Sequence, residues 1–401
     1  MQSFDEALSR LLNSAECIVG QEYVSVNAAF NRVLVEDIVA PIAVPAFDNS
    51  AMDGIAFAFD DVCVSERLPI TQTVFARHAP KVLKAGDVCR IFTGAPLPVG
   101  ADTVVLQEDC EFISATEPDL GLVKIVDNAI RKGQHVRQKG EDIGQGDEVL
   151  YKSTRLSAAQ IGLLASLGVV KVAVFKPLKV AVVSTGDELR NAGDDLGIGE
   201  IYNSNGPMLC AALQGLGVDV QAFHVEDELA ATKAVFAEAA AKFDMIISVG
   251  GVSVGEADFV KQAIEEQGQI EFWKVAMKPG KPLAFGHVTG IPLIGLPGNP
   301  VSAFASFQLF ALPFLRICQG EEVKLASEQK LPIILAASIT PQRETFLRVS
   351  RVLKEGQYYL KPYPSQGSGV LSSVAFSEGF ARVPRLKQTC SGDLLTFIPF
   401  F

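Results

Sequence analysis

Residues 243–302 concentrate the side chains able to do chemistry. Met245–Val249 is a short, apolar, β-branched run of the kind found in a buried strand of a parallel sheet, and Gly250-Gly251-Val252-Ser253-Val254-Gly255 follows it at once. Three glycines in six residues let backbone amides approach an anion closely, and the periodic stretch 258–264 predicts a helix whose N-terminus points at that loop. The spacing is neither GxGxxG nor the Walker A pattern, so the loop alone reads either as a phosphate cradle or as a plain strand-to-helix turn. Lys278-Pro279-Gly280-Lys281-Pro282 then places two cations on a turn stiffened by prolines, which a solvated surface pair does not need. Ile291–Leu296 reads as a second buried strand, and Pro297-Gly298-Asn299-Pro300 opens a long apolar helix with Asn299 as N-cap and Pro300 in the first turn. Two helix N-termini and two lysines thus converge where open α/β sheets bind their ligands, and the chemistry they suit is recognition of an anion.

Acids surround the same region. From residue 179 the chain alternates between a strand at 180–183, a helix at 205–216, a strand at 218–223 and a helix at 229–241, the pattern of a doubly wound α/β domain. Its first strand empties into Ser184-Thr185-Gly186-Asp187-Glu188 and its second into Glu226-Asp227-Glu228. A capping role at a helix start accounts for Asp187 or Asp227 singly. It does not account for Asp258 in the same mouth, and acids at several strand ends facing Lys278 and Lys281 suit a hydrated Mg²⁺ beside a phosphorylated ligand.

Three further segments carry polar residues without a helix or strand period. Residues 45–54 hold Asp48, Asn49, Ser50 and Asp53 among small residues, either an ordinary turn or a binding loop. Residues 90–98 end a strand on Thr93 and a tight turn, and residues 131–139 form a basic stretch that leads into Gly140-Glu141-Asp142. That stretch reads as a solvated edge or as an anion-facing hinge carrying Arg137. Near the C-terminus the only comparable features are Pro364-Ser365-Gln366-Gly367-Ser368-Gly369 and the cluster Arg343, Arg348 and Arg351.

The elements that must position these residues group into several domains, since 401 residues exceed one ordinary core. The expected fold class is multidomain α/β plus β. Residues 1–45 and 141–176 form a discontinuous N-terminal domain, 46–140 a β-rich insert, 177–326 the α/β domain and 327–401 a small β-barrel-like domain. A net charge of −11 argues against nucleic acid or an anionic membrane as the main partner. Seven scattered cysteines without a CxxC pair read as reduced thiols of a cytoplasmic protein, and four separated histidines offer no metal centre. Ser3-Phe4-Asp5-Glu6 is a capping box rather than a signal peptide, and no apolar run long enough to span a bilayer is expected.

Taken in order, PAFDNSAMDG at 45–54, RIFTGAPLP at 90–98, KGED at 139–142, STGDEL at 184–189, GGVSVGEAD at 250–258, KPGKP at 278–282 and LPGNPVS at 296–302 resemble the MoeA family of bacterial molybdopterin molybdenumtransferases, which is similar to the C-terminal half of gephyrin. The resemblance covers nearly the whole chain and implies four domains in an elongated homodimer. It also implies insertion of molybdate into adenylylated molybdopterin, with Mg²⁺-dependent release of AMP, alongside other proteins of molybdenum cofactor biosynthesis. Carried over by position, Asp187, Glu188, Asp227 and Asp258 shape the Mg²⁺ and molybdate-adjacent pocket, with Glu188 and Asp258 as metal ligands. Lys278 and Lys281 hold phosphate, Ser184, Thr185, Ser253 and the Gly250 and Gly251 amides line the pocket, and Pro297 and Pro300 form its wall. Asp53 and Thr93 match active-site positions on the insert, and Arg137 and Asp142 match positions on the hinge. The chain departs from the family pattern at Glu228, the second acid of a usual Asp-Asp pair, at Ile55, where tyrosine is more frequent, and at Phe376-Ser377-Glu378-Gly379, where asparagine is commoner before the glycine. Two other readings compete: a pterin carrier or scaffold, which needs none of Asp53, Asp187, Glu188 or Asp258, and an adenylyltransferase, to which the insert and C-terminal domains add nothing.

Overall fold

The computed structural model describes residues 2–61, 67–113, 120–126, 129–251, 259–322 and 329–400. Ser253 and Asp258 lie outside the described residues.

The α/β domain contains strands β1 (Lys179–Thr185), β2 (Asp219–Val225), β3 (Met245–Val249), β4 (Gly268–Lys274), β5 (Pro282–Val288) and β6 (Ile291–Leu296). Its helices are α1 (Asn205–Gly215), α2 (Leu229–Lys242), α3 (Phe259–Gln267) and α4 (Pro300–Cys318), the last with a π turn at Phe307–Ala311. The strand order is β2-β1-β3-β6-β5-β4. The first four strands are parallel, with Val182 paired to Ala222 on one side and Ile247 on the other. Because successive side chains point to opposite faces, Val180 and Val182 pack on one side with Leu209 and Leu213 of α1, while Ala181 and Val183 face Phe236 of α2 and Ile264 of α3. Burying each of these valine, leucine, isoleucine and phenylalanine side chains contributes roughly 1.5–3 kcal/mol. The chain steps from β1 to β2 on one side and returns to β3 on the other. A crevice therefore opens at the carboxyl ends of β1 and β3.

The edge strand β4 and its neighbour β5, which pairs antiparallel with both β4 and β6, are not part of the sequence reading, which stops at a parallel sheet. β5 and β6 form a hairpin through Thr289 and Gly290, both at positive φ. Helix α4 also corrects an expectation: at 19 residues and a mean hydropathy of 1.6 it is long and apolar enough to cross a bilayer. Of its most apolar window 83% is buried inside the molecule, so its all-round hydrophobicity is that of a core helix.

The first helix, Phe4–Asn13, is capped as its sequence predicts, with Glu6 N donating to Ser3 Oγ at 3.3 Å and Ser3 N to Glu6 Oε2 at 3.0 Å. Its Phe4 ring meets Phe310 of α4 at 5.1 Å and Phe346 of the C-terminal sheet at 4.9 Å. On either side of the insert, Gln21–Ser25 pairs with Lys171–Phe175 and Ile38–Val39 with Glu148–Leu150. The insert is a six-stranded sheet that includes Gly54–Phe57, Val88–Ile91 and Thr103–Leu106. The C-terminal sheet is built on Glu344–Lys354, Gly379–Val383 and Leu394–Pro399, and it takes in Met277–Lys278 from the α/β domain as a parallel edge strand.

Candidate active site

A cavity of about 610 Å³ occupies the crevice at the strand ends. Ser184 and Thr185 close β1, Gly250 and Gly251 follow β3, Pro297 and Pro300 follow β6, and Glu188 and Asp227 complete the wall. Eight of the residues singled out in the sequence thus meet in one place. Asp187 stands beside them: its Oδ1 accepts a hydrogen bond from the Asp227 backbone N–H at 2.8 Å, joining the loops after β1 and β2. Neither Asp187 nor Asp227 caps a helix, since the cap position of α2 belongs to Glu228.

The electrostatics of the acid side are unfavourable as they stand. Local desolvation pushes the Asp227 carboxyl above its ordinary value, and the charges of Asp187 and Glu188 push it further, against the opposing effects of its own backbone contact with Asp187 and of His224. Asp187, Glu188 and Asp227 supply hard oxygen donors, and Mg²⁺ needs only one or two carboxylates because it keeps several waters. The crowding fits such a cation, although the described residues contain no ready-made cluster of three metal-ligating side chains. The six described cysteines are free, and burial pushes the Cys89 and Cys318 thiols up to about 12.

The glycine loop opposite is built for close approach. Gly250 and Gly251 have φ of +97° and +58°, and a Cβ at Gly250 would sit 2.5 Å from the Thr185 carbonyl oxygen. The Thr185 hydroxyl lies buried beneath this turn without a partner among the described residues. Asn299 caps α4 in backbone conformation but makes no side-chain cap bond.

The lysines sit differently. Lys278 and Lys281 are both exposed, and their side chains make no hydrogen bond or ion pair among the described residues. Lys278 lines a separate groove of about 450 Å³ with Arg343 and other residues of the C-terminal domain, while Pro282, next to Lys281, lines the main cavity.

A second group gathers on the insert. Residues 45–54, 90–98 and 133–142 converge through backbone contacts, with Asn49 paired to Arg137, Ser50 to Val136, and Gly94 N donating to the Ser50 carbonyl at 2.8 Å. Asp48 Oδ1 accepts from Lys139 N at 2.7 Å. Asp53 Oδ1 accepts from both the backbone N–H and the hydroxyl of Thr93, each at 2.7 Å, and these bonds hold its carboxyl below the usual range. Asp142 is exposed on the hinge, where its N–H donates to the Val44 carbonyl. None of Asp53, Thr93, Arg137 or Asp142 lines the cavity within one chain.

The sequence reading assigns nothing to residues 190–204. Leu189–Arg190 and Ile201–Tyr202 form a small parallel ladder, held by an Arg190–Glu200 ion pair at 2.5 Å, and Leu189, Ile201 and Tyr202 supply an apolar side to the cavity. Asn205, in the first turn of α1, donates through Nδ2 to the Gly298 carbonyl at 2.7 Å and ties α1 to the loop before α4. The signal was present in Asn203-Ser204-Asn205-Gly206, a cluster of cap-forming residues just ahead of an apolar periodic stretch.

Residues 2–168 match the model of the MoeA N-terminal region (domains I and II), 181–317 that of a probable molybdopterin binding domain, and 334–400 that of the MoeA C-terminal region (domain IV). The chain is 36% identical to a Haemophilus influenzae protein named molybdopterin molybdenumtransferase, over all of this chain and 99% of the relative. It is 38% identical to molybdopterin molybdenumtransferase 2 of Mycobacterium tuberculosis, over 80% of each. Its structure superposes on the crystal structure of a molybdopterin biosynthesis MoeA protein from Pyrococcus horikoshii with a TM-score of 0.79 at 32% identity, covering 100% of this chain and 99% of that one. With that likeness running end to end and the cavity placed in the segment matched as a molybdopterin binding domain, the chain belongs to the MoeA family of molybdopterin molybdenumtransferases.

Proposed function

We propose that this enzyme inserts molybdate into adenylylated molybdopterin and releases AMP. The observation that carries the reading is the division of the cavity: Glu188 and Asp227 beside Asp187 on one side, and the close-approach glycines Gly250 and Gly251 with Pro297 and Pro300 on the other. A pyrophosphate-bearing pterin meets backbone amides on the glycine side, with positive charge supplied by exposed Lys281, next to the cavity residue Pro282, and by Lys278 from the groove it shares with Arg343. Glu188 and Asp258 would hold Mg²⁺, with Asp227 beside Glu188 in the cavity wall, and the cation would supply charge compensation for the entering oxyanion and the leaving nucleotide. The pterin's own dithiolene sulfurs would take the incoming molybdenum, so no protein thiol is required, in keeping with free and partly buried cysteines among the described residues.

Asp53 and Thr93 enter as the partner's contribution. They are absent from the cavity wall of their own chain, and a two-fold homodimer in which each insert covers the opposite cavity brings them to it. The test is to incubate the purified protein with adenylylated molybdopterin, Mg²⁺ and molybdate and to follow AMP and cofactor. AMP formed in step with cofactor supports the proposal. Tight pterin binding with no AMP makes the protein a carrier, and consumption of ATP with free pterin makes it an adenylyltransferase; either refutes it.

A further inference from the structure

The lysine turn is held from outside its own domain. Met277 and Lys278 pair in parallel register with Glu344 and Thr345 of the C-terminal sheet. Arg343 donates from Nη1 to the Met277 carbonyl at 3.1 Å and makes no ion pair among the described residues. Ala276 N donates to the Gln2 carbonyl at 2.9 Å and Val275 N to the Lys281 carbonyl at 3.1 Å. On the far side Gly280, at φ +99°, rests on α4 so closely that a Cβ would meet Ser306 Oγ at 2.7 Å. The backbone of the turn is therefore fixed on several sides, while its two amines have no hydrogen-bond or ion-pair partner among the described residues.

We propose that Arg343 is a positioning residue for this turn, presenting Lys278 and Lys281 as a preorganised cation pair to the anionic end of the substrate. The inference rests on the phosphate-holding reading of the lysines given above. Two flexible lysines on a mobile turn lose entropy when they engage a phosphate, and a turn pinned beforehand has already borne that cost. Arg343 suits the task because its planar guanidinium stays charged and donates to a carbonyl from a half-buried site without a competing carboxylate. The groove that Arg343 shares with Lys278 is lined by no acid among the described residues, so no carboxylate there competes for the amine.

The test compares steady-state kinetics of Arg343→Ala, Arg343→Lys, Lys278→Ala and the double variant Arg343→Ala/Lys278→Ala, with thermal midpoints to establish folding. Arg343→Ala is expected to raise KM for adenylylated molybdopterin about tenfold while kcat stays within about twofold, the signature of lost ground-state binding. Arg343→Lys, able to donate to the same carbonyl, recovers most of it. On the Lys278→Ala background the arginine substitution costs less than it does alone, because one of the two amines it positions has gone and only Lys281 remains. The proposal is overturned if Lys278→Ala raises KM and Arg343→Ala does not, or if the arginine effect is undiminished in the double variant. A Lys278→Ala protein with unchanged KM instead refutes the phosphate-holding reading and removes the basis of this one.

Discussion

Replacing Gly250 by alanine tests the close-approach geometry directly, and Gly290 provides its control. Both glycines have similar left-handed backbones, with φ of +97° and +89°. A Cβ on Gly290 meets nothing within 4 Å, whereas one on Gly250 would lie 2.5 Å from the Thr185 carbonyl oxygen and 2.8 Å from its Oγ1. The conformational cost common to both is roughly 1–2 kcal/mol. At Gly250 the contact with a backbone oxygen cannot be relieved by a rotamer change. Buried Thr185 belongs to β1 and is paired with Val225, so strand or loop must move, adding about 1–3 kcal/mol in the manner of an overpacked core. Gly250→Ala should thus destabilise the α/β domain by roughly 2–5 kcal/mol and Gly290→Ala by roughly 1–2 kcal/mol.

Thermal unfolding with and without ligand separates stability from site geometry. A ligand at about a hundred times its Kd stabilises the folded protein by about 2.7 kcal/mol. Adenylylated molybdopterin should raise the midpoint of wild type and Gly290→Ala alike, and of Gly250→Ala little or not at all. Equal destabilisation by the two alanines, or an undiminished ligand shift in Gly250→Ala, would refute the cradle.

Asp227→Asn should be more stable than wild type at pH 7, since the raised carboxyl penalises the charged form in the folded state; the advantage shrinks as pH falls through the raised value and disappears below the ordinary 3.8, as thermal midpoints across that range will register. Thr93→Ser should keep activity and Thr93→Ala lose roughly tenfold or more in kcat/KM, because the hydroxyl supplies one of the two bonds that orient Asp53; equal activity of the two variants excludes that role. Mixing inactive Asp53→Ala and Glu188→Ala proteins, with subunit exchange verified, should restore about a quarter of the sites if each site draws on two chains, and none if it is built within one.

Local chemistry was legible wherever the interacting residues are near in sequence. The Ser3–Glu6 box, the buried β3 and β6 and the Asn299–Pro300 helix start all stand where periodicity and capping residues place them, because each depends on a few neighbouring side chains. Val33 and Leu34 make only isolated bridges, to Arg155 and Val174, before the short strand Ile38–Val39, since strand pairing there is decided by partners about 120–140 residues away. The union of Asp53 with Thr93 was equally illegible as a bond: both residues stood out singly, but 40 positions separate them. The capture of Met277–Lys278 by the C-terminal sheet left no local trace, because a two-residue parallel ladder has no periodicity of its own.

That capture bears on how the site is held. The segment matched as a molybdopterin binding domain spans 181–317 and contains the cavity, yet its supports lie beyond both ends. Phe4, from the first helix, packs between Phe310 of α4 and Phe346 of the C-terminal sheet, and Arg382 binds Asp5 at 2.6 Å and pairs with Glu344, the residue facing Met277. Arg382 also lies over the Phe4 ring, 5.0 Å from its centroid, so the ion pairs and the aromatic cluster reinforce one contact. On the other flank the Ser368 carbonyl accepts from Val301 N in the first turn of α4, and Gly369 lines the cavity itself. An excised α/β unit would keep its strands and glycines while exposing the Phe310 face and freeing the lysine turn from Arg343 and Glu344. The order of the lysine turn thus comes from residues that the α/β sequence does not contain, so the proposed phosphate site depends on the C-terminal sheet as well as on its own domain.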